Sequence, residues 1–282
     1  MSFWKVCIAS AVWGMVSLSA AASGVPSCYV ANKLSIPAPQ PEREIFILLD
    51  QTTPLDSTLQ RAVMENVGRL VQPGTAFSIA TFSSFGQGRY LELLASGALE
   101  VPLPEDARSS IGVKVLRSFD ACLAGQQNFA RNMAAGALQK AIAGISPDYA
   151  KSDVMASIKE MSTRVRQSEA PSKVLFLVSD MLENSGISSF YANRNVRALN
   201  AATELQKAES AGMLADLAGA RVFVLGAGLV QDVQSKGTAK DSGIYRDPKT
   251  MAALKDFWRQ YFQRSNAQLQ EFGMPALMVP VQ

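Results

Sequence analysis

Glu44-Ile-Phe-Ile-Leu-Leu-Asp50 is an unbroken apolar run closed by a carboxylate. A strand with one face in water alternates apolar and polar residues; one with no polar position is buried on both faces, as in a parallel sheet covered by helices. Lys173-Val-Leu-Phe-Leu-Val-Ser-Asp180 repeats the pattern and also ends in aspartate. Working outward, Leu55 to Val71 carries Leu59, Val63, Val67 and Leu70 at helical spacing before a Pro73-Gly74 stop. Ala76 to Phe82 reads as a second strand, Tyr90 to Leu94 as a third on an antiparallel edge, and Arg221 to Gly226 as another. Helices are expected over Phe119 to Ile145, Asp153 to Val165, Val196 to Ala218 and Thr250 to Phe272, with a last edge strand at Ala276 to Val281. Strands alternating with helices predict a single-domain α/β fold: an open, mostly parallel sheet with helices on both faces, spanning 42–282. The aromatic group Phe257, Trp258, Tyr261 and Phe262 reads as core, with an exposed edge open to Trp258 and Tyr261.

Composition narrows the chemistry. Hydrophobic residues make up 48% of the chain and charged residues 18%, a balance that supports a packed core. The net charge of +3 gives no electrostatic footprint for nucleic acid. There is no histidine, which removes Ser-His-Asp and Cys-His catalysis and every His-containing zinc site. Three cysteines are one short of an all-cysteine zinc site. Gly226-Ala-Gly228 lacks the third glycine of a dinucleotide fingerprint and reads as a tight turn, Gly86-Gln-Gly88 as a hairpin tip, and no P-loop is present. Gln231 to Asp247 is polar and reads as a surface excursion.

Residues 1–22 have the order of a secretory signal peptide: Lys5, an uncharged stretch from Val6 to Leu18, then small residues with Ala20 and Ala22 placed for cleavage before Ser23. The alternative is an uncleaved anchor, for which the stretch is short against ~30 Å of hydrocarbon. Cleavage predicts a periplasmic or secreted, bacterial protein with no membrane span after leader removal. Residues 23–41 then form an extended tether, proline-rich from Ser35 to Pro41. Cys7 leaves with the leader, so Cys28 and Cys122 form an even pair in an oxidising compartment; the expectation is a bridge, the alternative two free thiols. A loop of that length contributes up to ~4–5 kcal/mol in the chain-entropy model.

Ligands of open α/β sheets bind at the carboxyl ends of strands, where the strand order reverses. Asp50 and Asp180 both end buried-type strands, Thr52 follows the first, and Ser152-Asp153 opens the intervening helix. Helix capping is the alternative for Asp50, Thr52, Ser152 and Asp153. In order and spacing, Asp50, Thr52, Ser152 and Asp180 resemble the metal-ion-dependent adhesion site of the von Willebrand factor A-type domain, which begins Asp-x-Ser-x-Ser. The resemblance covers about residues 42–282. It implies Mg2+ or Mn2+ held by those four residues, with an open coordination position that an acidic side chain of a protein partner fills. Gln51, Thr53, Asp153, Glu183, Phe190 and Tyr191 are the candidate partner contacts, with local packing the alternative for the loop aromatics Phe190 and Tyr191. This chain departs from the pattern at Pro54, which stands where the family has its second serine and offers no ligand. The expectation is therefore an exported, non-enzymatic binding module. Two other readings stand beside it: a hydrolase in which Asp50 and Asp180 hold a metal that activates water, and a metal-free scaffold subunit of an envelope assembly.

Overall fold

Helix and strand follow one another through the chain as α1 (Cys28–Ala31), β1 (Arg43–Asp50), α2 (Ser57–Leu70), β2 (Thr75–Gly86), β3 (Arg89–Ala98), α3 (Glu105–Arg108), α4 (Val113–Ala143), α5 (Val154–Gln167), β4 (Ser172–Val178), β5 (Tyr191–Ala192), β6 (Asn195–Val196), α6 (Ala201–Ser210), β7 (Ala220–Leu225), α7 (Pro248–Arg264) and β8 (Ala267–Phe272). This computed structural model describes residues 24–86, 89–146, 152–192, 195–229 and 247–282. The leader at 1–22, the excursion from Gln231 to Arg246 and part of the tip read at Gly86-Gln-Gly88 lie outside the described residues. No described helix is long and apolar enough to cross a membrane.

Six strands form one sheet in the order β3-β2-β1-β4-β7-β8. All neighbours pair in parallel except β2 and β3. The double-faced burial read from β1 is present: Phe46 and Leu48 belong to one core with residues of α5 and α7, while Ile45, Ile47 and Leu49 belong to the other with residues of α2 and α4. Each such apolar side chain contributes roughly 1.5–3 kcal/mol over an exposed one. Because β1 leads outward to β2 while β4 begins the other half, the strand order reverses between β1 and β4, and Asp50 and Asp180 lie at that point.

Four expectations shift. The helix read over Val196 to Ala218 spans only Ala201–Ser210. Asn200 caps its start by accepting from Thr203 N–H, and Gly212 in the left-handed region ends it. The helix read to Phe272 stops at Arg264, after which Asn266 takes a φ of 53° and the chain becomes β8. There Ala267 and Phe272 are buried while Gln268 and Gln270 are exposed. The edge strand read at Ala276 to Val281 is not a strand; that segment crosses to α2, where Val281 N–H donates to Asn66 Oδ1 at 2.9 Å. Trp258 and Tyr261 have no exposed edge, since both are wholly buried, Trp258 donating to Met181 O and Tyr261 to Met213 O.

A fifth correction concerns the tether. Residues 35–40 are exposed, but the chain before them is folded onto the domain. Val25 is buried over Gly97, where a Cβ would lie 2.5 Å from a Val25 methyl. Glu100 accepts from the Cys28 N–H at 2.6 Å, and Gln126 donates to Pro26 O. Cys28 is disulfide-bonded to Cys122 of α4, as expected from the cysteine count. Cys28, Tyr29, Leu103 and Phe119 make a small core of their own around that bond.

Candidate functional site

At the end of β1 the chain turns so that Thr52 faces back on Asp50. The Thr52 backbone N–H and hydroxyl donate to Asp50 Oδ1 at 2.9 and 2.7 Å. From the entry to α5, the Ser152 hydroxyl donates to Asp50 Oδ2 at 3.0 Å, and from the end of β4 the Ser179 hydroxyl donates to the same oxygen at 2.8 Å. One carboxylate, 1% exposed, therefore gathers three separate segments. Burial raises the Asp50 pKa, opposed by the hydrogen bonds from Thr52, Ser179 and Ser152. The helix that follows is capped elsewhere, by Asp56 accepting from Leu59 N–H, so Asp50 and Thr52 are not its cap.

Asp180 lies beside this cluster and is 2% exposed. Its backbone N–H donates to Thr53 Oγ1 at 2.9 Å, joining the two strand ends directly. Its Oδ1 accepts the Leu182 N–H at 2.8 Å, and its Oδ2 accepts the Tyr191 hydroxyl at 2.5 Å. Tyr191 reaches it from β5. Burial, then the carboxylates of Asp180 and Asp50, push the Tyr191 phenol well above its ordinary pKa. Between Asp180 and Leu182 the chain passes through Met181, a non-glycine residue at a φ of 58°. Such a conformation costs of order 1–3 kcal/mol and persists only where its surroundings hold it. Here the Met181 N–H donates to Ser179 Oγ and its carbonyl accepts from Trp258. The Gly226-Ala-Gly228 turn backs the same stretch: Gly228 N–H donates to Asp180 O at 2.8 Å, and a Cβ on Gly226 would meet Ser179 O at 3.1 Å.

The four residues read as a metal site are thus brought together, and Ser179 joins them. Its only mark in the sequence is adjacency to Asp180. Gln51, Thr52, Asp153 and Tyr191 lie part-exposed at the rim. Gln51 is tied to α4, its Nε2 donating to Ala141 O at 3.0 Å. Three expected partner contacts are corrected by burial. Thr53 is enclosed between the strand ends. Phe190 is wholly buried edge-on to Phe257, ring centroids 5.0 Å apart. Glu183, 1% exposed, caps α5 by accepting from Met155 N–H at 2.9 Å, a task that Asp153 at the N-cap position leaves undone. Burial raises the Glu183 pKa from 4.5 to about 7.

A hard divalent cation asks for about six oxygen ligands in near-octahedral geometry. The donor set here consists of the right atom types, with its carboxylates already engaged by donors within the protein. The Thr52, Ser152 and Ser179 hydroxyls donate to Asp50, each Asp50 oxygen accepts two hydrogen bonds, each Asp180 oxygen accepts at least one from within the protein, and Pro54 adds no ligand. Among the described residues no group of three or more Cys, Asp or Glu stands together as a metal-binding set.

No protein-family model matches the chain, and no curated protein matches it. Solved structures are similar to it at low identity. An aerotolerance-related membrane protein from Bacteroides fragilis NCTC 9343, carrying multiple mutations to serines, is 13% identical with a TM-score of 0.34, over 82% of this chain and 92% of that one. The conserved hypothetical protein BatB from Bacteroides thetaiotaomicron is 14% identical with a TM-score of 0.32, over 80% and 88%. The pilus adhesin SpaC from Lactobacillus rhamnosus GG, in an open conformation, is 13% identical with a TM-score of 0.36, over 83% of this chain and 28% of that one.

Proposed function

We propose that this chain is an exported, non-enzymatic binding module that engages a protein partner on the rim above Asp50 and Asp180. The observation that carries this reading is the way the Asp50 carboxylate pins Thr52, Ser152 and Ser179 at the reversal of strand order. Loops held rigidly at the end of a packed sheet are where such folds place recognition. The carboxylates themselves are enclosed and hydrogen-bonded to their neighbours, which suits them to hold a surface in shape rather than to activate water. Export is supported by the order of the leader residues and by the disulfide, since such bonds persist in oxidising compartments. The acidic-partner route expected from the family resemblance needs a cation and is not the route proposed.

A photo-crosslinking residue placed at exposed Ala192 on the rim, and separately at exposed Gln72 beyond the other end of α2, tests the reading in cells that export the full chain. A discrete protein adduct is expected at 192 and not at 72. Equal adducts at both, or none at 192, would remove the rim from consideration. Phosphoester turnover by the purified chain, lost in Asp50→Ala, would revive the hydrolase.

A further inference from the structure

Tyr191 is no ligand in the adhesion-site pattern, yet it makes a short side-chain contact at the strand ends. Its hydroxyl donates to Asp180 Oδ2 at 2.5 Å. A hydrogen bond to a carboxylate is charge-assisted and stronger than one between neutral groups. The placement is not a matter of one free side chain swinging inward. The preceding Phe190 is sunk in the core against Phe257 and Trp258. Its N–H donates to Glu183 O and its carbonyl accepts from Arg197 N–H, both at 2.7 Å. Arg197 Nε also donates to Ser189 O at 2.9 Å, and Arg197 with Ser188 is gathered by the buried Glu204. The backbone that carries Tyr191 is fixed on both sides, so the phenol is delivered to Asp180 by the packing of its neighbours.

We infer that Tyr191 is a built-in latch on Asp180, occupying the carboxylate oxygen that a divalent cation would need, so that this face is assembled without an ion. The inference deepens the reading of the rim as a binding surface and rests on that reading for its purpose. Three features act together: Tyr191 closes Asp180, the hydroxyls of Thr52, Ser152 and Ser179 close Asp50, and Pro54 withholds the further ligand. An ion taking Tyr191's position on Asp180 Oδ2 would have to displace the phenol, and that displacement would pull on Phe190. Tyr191 is a positioning residue: it ties the segment from Met181 to Leu199 to the end of β4.

Two measurements on the purified full chain test this without any partner, so their failure is separable from failure of the crosslinking experiment. Mn2+ titration followed by the paramagnetic resonance of the free ion is expected to show no saturable binding through the low millimolar range. Hydrogen exchange of Tyr191→Phe, which keeps the ring and removes only the hydroxyl, is expected to speed amides between Leu182 and Tyr191 by about tenfold while β1 and β4 stay protected. Saturable Mn2+ binding by the unaltered chain, lost in Asp180→Asn, would overturn the inference. Unchanged exchange in Tyr191→Phe would overturn it equally.

Discussion

The Cys28–Cys122 bridge and the Asp50 cluster each hold together segments far apart in sequence, 94 positions for the disulfide and 102 and 129 for the bonds from Ser152 and Ser179 to Asp50. They do so by different means. The disulfide acts chiefly on the unfolded chain, whose freedom it restricts, and it is indifferent to the ionisation of its surroundings. The Asp50 cluster exists only in the folded chain, and its strength depends on every donor being present and on the charge of one enclosed carboxylate. The first tie suits a satellite core too small to hold itself; the second suits a surface whose shape has to be specified atom by atom.

Breaking the covalent tie is the larger perturbation. A Cys28→Ser, Cys122→Ser variant is expected to lose about 4 kcal/mol of stability in urea titration, while the exchange protection of residues around Asp50 stays as it was. An equal loss of protection at both places would show that the two ties are one cooperative unit. Asp50→Ala is expected to cost about 3 kcal/mol, because it strands the hydroxyls of Ser152 and Ser179 in an enclosed site; a loss under ~1 kcal/mol would mean that the cluster is incidental.

The smallest effect separates the ties by pH. Glu183, next to the cluster and capping α5, has its pKa raised from 4.5 to about 7 by burial. The folded state therefore binds the proton more tightly than the unfolded state. The resulting stability is fully present below pH 4.5 and is lost as pH rises through about 7. Glu183→Gln is expected to flatten thermal stability over that window and to exceed the unaltered chain at pH 8 by roughly 2 kcal/mol. A variant with the same pH slope as its parent would show that Glu183 does not titrate there.

What could be read in advance follows the same division. β1 and β4 were legible because burial on both faces leaves no polar position, and a carboxylate at the end of such a strand has to be answered by other groups. The meeting of Asp50, Thr52, Ser152 and Asp180 was legible from the order and spacing they share with the adhesion site that the sequence resembles. Ser179 was not, since a serine beside an aspartate carries no periodic signal. Phe190 and Tyr191 are adjacent, and both read as rim residues. In the structure one enters the core and the other turns to Asp180, and a two-residue strand is too short to show alternation. Glu183 was misread because a charged residue in a loop is normally solvated; its task is set by the α5 N-terminus, which only the folded chain brings near. β8 was absorbed into α7 because Leu269 continues the helical spacing of Leu254, Trp258 and Phe262, and the left-handed turn at Asn266 that separates them has no unique residue signature.

The covalent bridge also has a consequence in time. Asp50 and Ser179, at the ends of the two central strands, are 129 positions apart along the backbone. A path through Cys28 and Cys122 shortens the ring that has to close to roughly 80 residues, which lowers the entropic cost of that closure by roughly 0.4 kcal/mol. Oxidation before collapse thus about doubles the frequency with which β1 meets β4. The bridge, far from the rim, hastens the encounter on which the rim is built.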